Sequence, residues 1–221
     1  MKSTLHFFGD SFTEGHALAR TNYIWPKLIQ KAMFEQFNYR NYGQGGASPL
    51  IILKLIIEHL ITIKPGDIVF LLETVPDRIE IYSPHFNKII SLTNAHLVEA
   101  VSNKKDRDFD GYNDIMSAFN FTYDHRYKRM DHFELYFRDI YQNIGEYITS
   151  IGARFILIPF QVTFNNIKTG ERFETVSVRT KGKFVDGHFS IKGHWQFANY
   201  ILKSNFNNYT ELKEPKEKLL I

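Results

Sequence analysis

Cysteine is absent from the 221 residues, which excludes disulfides, thiolate nucleophiles and every zinc arrangement built on thiolates. Blocks of like charge are missing too. Lys and Arg total 27 against 24 Asp and Glu, a net charge of +3, but acids and bases interleave. Even the densest cluster, YDHRYKRMDH at 123 to 132, mixes Arg126, Lys128 and Arg129 with Asp124 and Asp131. It reads as a solvated helix start, since nucleic acid asks for a basic stripe without interspersed acids. No apolar run is long enough to cross a hydrocarbon layer of about 30 Å. The longest, PLIILKLIIEHLITI at 49 to 63, is interrupted by Lys54 and Glu58. The opening residues enter TLHFFGD at once, without the charged and apolar regions of a signal peptide. These absences predict a cytoplasmic chain with neither nucleic acid nor membrane as partner. Tryptophan is scarce, at 2 residues, while Phe and Tyr number 20 and 12. Flat side chains must therefore fill much of the core and are available to line a cleft.

What is present fits one folded domain. Hydrophobic residues make up 43% and charged residues 23%, ordinary values for a globular chain. The length suits a single α/β unit, read here as residues 1–208 with an irregular, partly helical insertion at about 78–129 and a charged, frayed tail at 209–221. TLHFF (4 to 8) is an apolar run closed by Gly9, a buried strand ending in a turn. Apolar Trp25, Leu28, Ile29, Ala32, Met33 and Phe37 recur at helical spacing, with Pro26 suited to a first turn. NYRNYG (38 to 43) predicts a second strand, Pro49 to about Ile63 a helix, and DIVFLLE (67 to 73) a third strand. Phe133, Tyr136, Phe137, Ile140, Tyr141, Ile144 and Ile148 mark an amphipathic helix, and ARFILIPF (153 to 160) a fourth strand. TFNNIKTGERFETVSV has the pattern of a small hairpin about Thr169 and Gly170. GKFVDGHFS predicts a fifth short strand or loop, and Ser190 caps the closing helix. DFDGYND (108 to 114) imitates a calcium loop but lacks the distal carboxylate, so it reads as a turn. Alternating strands and helices define a parallel sheet with right-handed crossovers.

In such a sheet ligands gather beyond the carboxyl ends of the strands. Ser11 follows the first strand, residues 43 to 48 the second, residues 73 to 78 the third, and Asp186 with His188 the last. A serine, an imidazole and a carboxylate meeting there have the composition of a nucleophile, its base and the group that holds the base. Blander readings of the same residues stay open. Ser11 would also serve as a helix cap, Gly45 and Gly46 as a simple turn, Arg78 as a surface ion-pair partner and His6 as a core or rim residue. His194 reads as a first-turn helix residue and not as a ligand, because no second His or Cys stands at metal spacing.

The blocks around these residues carry a resemblance. GDSFTEG, with Gly9, Asp10, Ser11 and Gly15, resembles the first block of the GDSL or SGNH hydrolases; NYGQGG, with Asn41, Gly43 and Gly46, resembles the second; DGHFSIKGH, with Asp186 and His188, resembles the last. The blocks span nearly the whole chain in the family's order. Two departures stand beside them. The third block, Gly-x-Asn-Asp, is missing, and LLETVPDR puts Val75 roughly where the oxyanion-binding asparagine would be. Asp186 and His188 are also two apart instead of three. The resemblance implies a three-layer α/β/α sandwich on a five-stranded parallel sheet, of flavodoxin-like topology. It implies an acyl-serine esterase with Ser11 as nucleophile, His188 as base and Asp186 as its holder. Backbone N–H groups of Ser11 and Gly46 would form the oxyanion hole, with Thr74 or Arg78 in place of the lost donor and Asp10, Asn41 and Arg78 beside the substrate. It implies no cofactor and no metal. The expected substrate is a small-molecule or carbohydrate ester, an acetylated sugar by the family's habits. An SGNH-type acyltransferase, and a catalytically degenerate module that binds a glycan or a protein, remain alternatives.

Overall fold

The computed structural model describes residues 2–16, 18, 21–33, 36–75, 78–83, 88–92, 130–163, 172–179 and 185–215. In chain order the main elements are β1 (Thr4–Phe8), α1 (Ser11–Glu14), α2 (Trp25–Ala32), β2 (Asn38–Asn41), α3 (Pro49–His59) and β3 (Ile68–Leu72). They continue with β4 (Ile79–Ser83), β5 (Lys88–Leu92), α4 (Met130–Ser150), β6 (Arg154–Ile158), β7 (Thr175–Arg179), β8 (Val185–Phe189) and α5 (Ile191–Asn205).

Four strands form a parallel sheet in the order β2-β1-β3-β6. The N-terminal strand thus lies inside the sheet, with Phe7 level with Asn41 on one side and Phe70 on the other. β3 reads IVFLL and is buried throughout, the continuous apolar run of a strand covered on both faces. Leu5, Phe7, Phe70 and Leu72 pack with Trp25 and Ile29 of α2 and with Phe197 and Ile201 of α5. Phe8, Val69 and Leu71 pack with Ile52 and Ile56 of α3 and with Tyr141 and Ile148 of α4. The neighbours in sequence, Phe7 and Phe8, divide between these two clusters because successive strand residues point to opposite faces.

Three expectations change. The parallel sheet has four strands among the described residues; β8, expected as a fifth, pairs antiparallel with β7. Its sequence VDGHF carries Asp186 and Gly187, residues depleted in strands, where β3 has a continuous apolar run. The hairpin expected about Thr169 and Gly170 falls on residues 164–171, which lie outside the described residues. The insertion, read as irregular and partly helical, opens with the antiparallel pair β4 and β5, whose sequences IEIYS and KIISL are rich in the β-branched and aromatic residues that suit strands. Residues 93–129, including DFDGYND and most of the charged cluster, lie outside the described residues. The tail expected to fray is docked as far as Glu214. Thr210 N–H donates to Ala32 C=O, Trp195 Nε1–H to Leu212 C=O, and Lys192 pairs with Glu214.

Candidate active site

β1 stops at Gly9 because the next turn leaves no room for a side chain. A Cβ there would stand 2.2 Å from Thr13 Oγ1 and 3.2 Å from Leu72 Cβ. Asp10 then caps α1, its carboxylate accepting the N–H of Phe12 at 3.1 Å. Ser11 is therefore the first residue of the helix and not its cap, and it is only 7% exposed. Gly15 ends the helix in the left-handed region at φ 87°, its N–H returning to Ser11 C=O.

The second loop is fastened to this helix. Asn41 Nδ2–H donates to Thr13 C=O at 2.8 Å, and Asn41 Oδ1 accepts the Gly43 N–H at 2.9 Å. Gln44 N–H donates to Gly9 C=O. Gly43 lies so close to α1 that a Cβ would be 2.3 Å from Glu14 N and 2.6 Å from the Thr13 carbonyl carbon. Gly46 turns in the left-handed region at φ 75° and is exposed. Ser48 caps α3, accepting from Ile51 N–H, and its hydroxyl donates to Glu80 of β4.

From the far end of the chain, β8 brings His188 against α1. His188 is 3% exposed. Its imidazole stacks on Phe12, centroids 5.4 Å apart and planes 25° from parallel, and His16 stands on it at 4.9 Å and 45°. The residues on either side of this ring were not singled out from the sequence, where nothing marks a contact formed only by folding. Asp186 stands two positions before His188 on the same strand, level with Val178 of β7. Residue 186 lies on the same strand as His188, Asn41 closes β2, and Ser11, Gly46 and Thr74 follow the ends of β1, β2 and β3.

After β3, Thr74 Oγ1–H donates to Asp10 Oδ2 at 2.8 Å. Its single hydroxyl proton is thereby committed to a carboxylate and not to an oxyanion. Arg78 Nη1 stands 3.0 Å from Ala47 C=O, 3.3 Å from Thr74 Oγ1 and 3.6 Å from Asp10 Oδ2. Asp10 is buried, 1% exposed. Burial pushes its carboxyl above the usual carboxylate value, against the opposing pull of Arg78, Thr74 and the Phe12 N–H.

His194, next in the last block, is buried and holds a neighbouring helix. Its Nδ1 accepts the N–H of Trp25, the first residue of α2, at 3.2 Å, an N–H with no partner inside its own helix. Burial, and secondarily His188, lowers its pKa to about 3, so the ring is neutral. His6 lies in the core, where its Nε2 meets Asp67 Oδ2 at 3.1 Å. Among the described residues no three His, Asp or Glu side chains gather as a metal would need, and no helix is long and apolar enough to cross a membrane.

The chain is thus an α/β protein whose parallel strands end at a half-hidden serine helix packed against an imidazole. No protein-family model and no curated protein matches it. Among solved structures it is similar to a member of the lipolytic G-D-S-L family from Veillonella parvula, at 15% identity and a TM-score of 0.42, with 92% of this chain and 98% of that one covered. It is also similar to an acetyl-xylooligosaccharide esterase from Geobacillus, at 15% identity and a TM-score of 0.45, with 96% and 100% covered. At these identities the chemistry is argued from the chain's own side chains.

Proposed function

We propose that the protein is a serine esterase of the SGNH type, with the three-layer α/β/α architecture that the family has. The observation that carries the reading is the contact between the Ser11 helix and the His188 strand, made through the rings of Phe12 and His188. Ser11 Oγ attacks the ester carbonyl while His188 takes its proton; the imidazolium then protonates the departing alkoxide. Water, deprotonated by the same imidazole, releases the acid and restores the serine. Asp186 is assigned to hold the imidazole and stabilise its charged form. The N–H groups of Ser11 and Gly46 are assigned to the oxyanion, where one donor is typically worth about 2.7–4 kcal/mol. The substrate class is a small-molecule or carbohydrate ester, with short acyl esters of sugars first among those to be tried. An acyl acceptor other than water would make the same site a transferase.

The test uses p-nitrophenyl acetate and a fluorophosphonate probe on the wild type, Ser11→Ala and His188→Ala. The expected result is hydrolysis by the wild type alone, with the label on Ser11. An inert, unlabelled wild type would favour the non-catalytic binding module; labelling that survives Ser11→Ala would remove Ser11 as nucleophile.

A further inference from the structure

The gap left by the third block is where the structure is most informative. Val75 offers no polar group there, yet three residues later Arg78 reaches back across the site. One nitrogen of its guanidinium addresses three separate segments: Ala47 C=O in the second loop, Thr74 Oγ1 at the exit of β3, and Asp10 Oδ2 ahead of Ser11. Donors and acceptors line up in a single direction. Arg78 Nη1–H donates to Thr74 Oγ1, Thr74 Oγ1–H to Asp10 Oδ2, and the other oxygen of Asp10 receives the Phe12 N–H. A chain of hydrogen bonds thus runs from the guanidinium to the backbone of the residue after Ser11.

Electrostatics makes the chain hard to replace. A carboxylate as buried as Asp10 persists in its ionised form only with a positive partner and donated hydrogen bonds. Arg78 supplies the charge and, through Thr74, one of the bonds. The ionised carboxylate accepts at both oxygens, as Thr74 Oγ1–H and the Phe12 N–H meet it here. Two positions on, Glu80 accepts a hydrogen bond from the Ser48 hydroxyl, so the same segment grips the second loop at Ala47 and again at Ser48.

We propose that Arg78 is a positioning residue of the Ser11 site, which through Thr74 and Asp10 sets the start of the serine helix and through Ala47 sets the loop bearing Gly46. It does this from behind the reacting atoms, without touching the substrate. The structural tie stands by itself, while its catalytic consequence rests on the esterase reading.

The experiment compares Arg78→Met, Arg78→Lys, Thr74→Val and Thr74→Ser with the wild type, reading both amide hydrogen exchange and esterase kinetics. Arg78→Met and Thr74→Val should each speed exchange at the Phe12 amide by about tenfold or more, since a buried bond that loses its support opens more often. Thr74→Ser, which keeps the hydroxyl, should stay near the wild type. Arg78→Met should also speed exchange across residues 46 to 48, where Thr74→Val should have less effect. With p-nitrophenyl acetate, kcat should fall about tenfold to a hundredfold in Arg78→Met at nearly constant KM, as expected of a displaced nucleophile. The double variant Arg78→Met/Thr74→Val should be little worse than Arg78→Met alone, because both remove the same chain. Arg78→Lys keeps the charge but not the fork, and should recover only part of the loss.

Unchanged exchange at Phe12 in Arg78→Met overturns the proposal. So does a loss confined to KM, or losses in the double variant that multiply, for then Arg78 acts on the substrate directly. Should Arg78→Met fail to fold, Thr74→Val with Thr74→Ser decides by the same Phe12 readout. A wild type that the fluorophosphonate does not label defeats the esterase reading, and the exchange data still judge the tie.

Discussion

The ring of Phe12 lies over the imidazole of His188, 5.4 Å between centroids and 25° from parallel. One residue is covalently next to Ser11, and the other arrives on a hairpin strand near the far end of the chain. An imidazole flanked by the rings of Phe12 and His16 has few orientations left, and a proton acceptor works only within reach of its donor. Phe12→Leu should keep the fold while widening the range of imidazole orientations. Its kcat for p-nitrophenyl acetate should drop about tenfold, a modest share of what an ångström of misplacement costs, with KM little changed. Wild-type kcat in this variant would show that the contact is packing alone.

Gly43 and Gly46 make a paired test of the second loop. At Gly43 a methyl group would collide with the α1 backbone, 2.3 Å from Glu14 N, whereas at Gly46 it would meet nothing within 4 Å. Gly43→Ala should lose about 1–3 kcal/mol as backbone gives way to the extra carbon. Gly46→Ala should lose about 1–2 kcal/mol, solely through its left-handed φ. Urea unfolding gives both numbers, and activity separates the two further. The first variant pushes the loop off the serine helix and should be the poorer esterase. Equal activities would mean that the loop does not lean on α1 in solution.

Acid should destabilise the protein through His194. Unfolded, this ring takes up a proton near its ordinary value of 6.5; folded, it does so only at about 3. Between those values unfolding binds a proton, so stability is full above pH 6.5 and declines on acidification, by at most about 1.4 kcal/mol per pH unit for one group. His6, lowered by burial despite Asp67, adds to the same trend. Urea midpoints of wild type and His194→Gln at pH 6.5, 5.5 and 4.5 should show a shallower decline in the variant. Parallel curves would mean that His194 does not supply the slope.

Asp67 binds the bottom of the sheet as Asp10 binds its top. Its carboxylate accepts from Thr4 N–H at 2.7 Å, Lys64 N–H at 2.9 Å and His6 at 3.1 Å. Asp67→Ala strands these donors, at about 1–3 kcal/mol for each that stays buried and unpaired. The variant should unfold at distinctly lower urea, yet keep its kcat at temperatures where it is folded, since Asp67 itself precedes β3 and its backbone contacts lie at the opposite strand ends from Ser11. A specific loss of kcat would contradict that separation.

Much of the architecture was legible because its signals are local. IVFLL has the continuous apolar run of a strand covered on both faces, Pro49 announces α3 at its first turn, and Ser190 announces α5 as its cap. The glycines of the first two blocks were visible, and their necessity at Gly9 and Gly43 is a matter of touching backbone. What the sequence does not display is partnership across space. The length and position of β8 fit a further parallel strand, while its pairing with β7 depends on a register no single strand encodes. The sequence offers Arg78 as a surface ion-pair residue and Thr74 as an oxyanion donor; that Arg78 pairs inward with Asp10 and bonds Ala47, and that Thr74 donates to Asp10, depends on positions set only by folding. The tail looked free by its charge, although Tyr209 and Leu212 had the apolar bodies to dock it.

The order of the strands also bears on when the two halves of the Phe12–His188 contact can meet. β1 is enclosed by β2 and β3, and none of the pairings of the parallel sheet uses a residue of β7 or β8. The sheet can therefore assemble while Phe12 still lacks its imidazole neighbour. The stacking of Phe12 on His188 closes only when the β7–β8 pair docks, a long-range step that comes after the local ones.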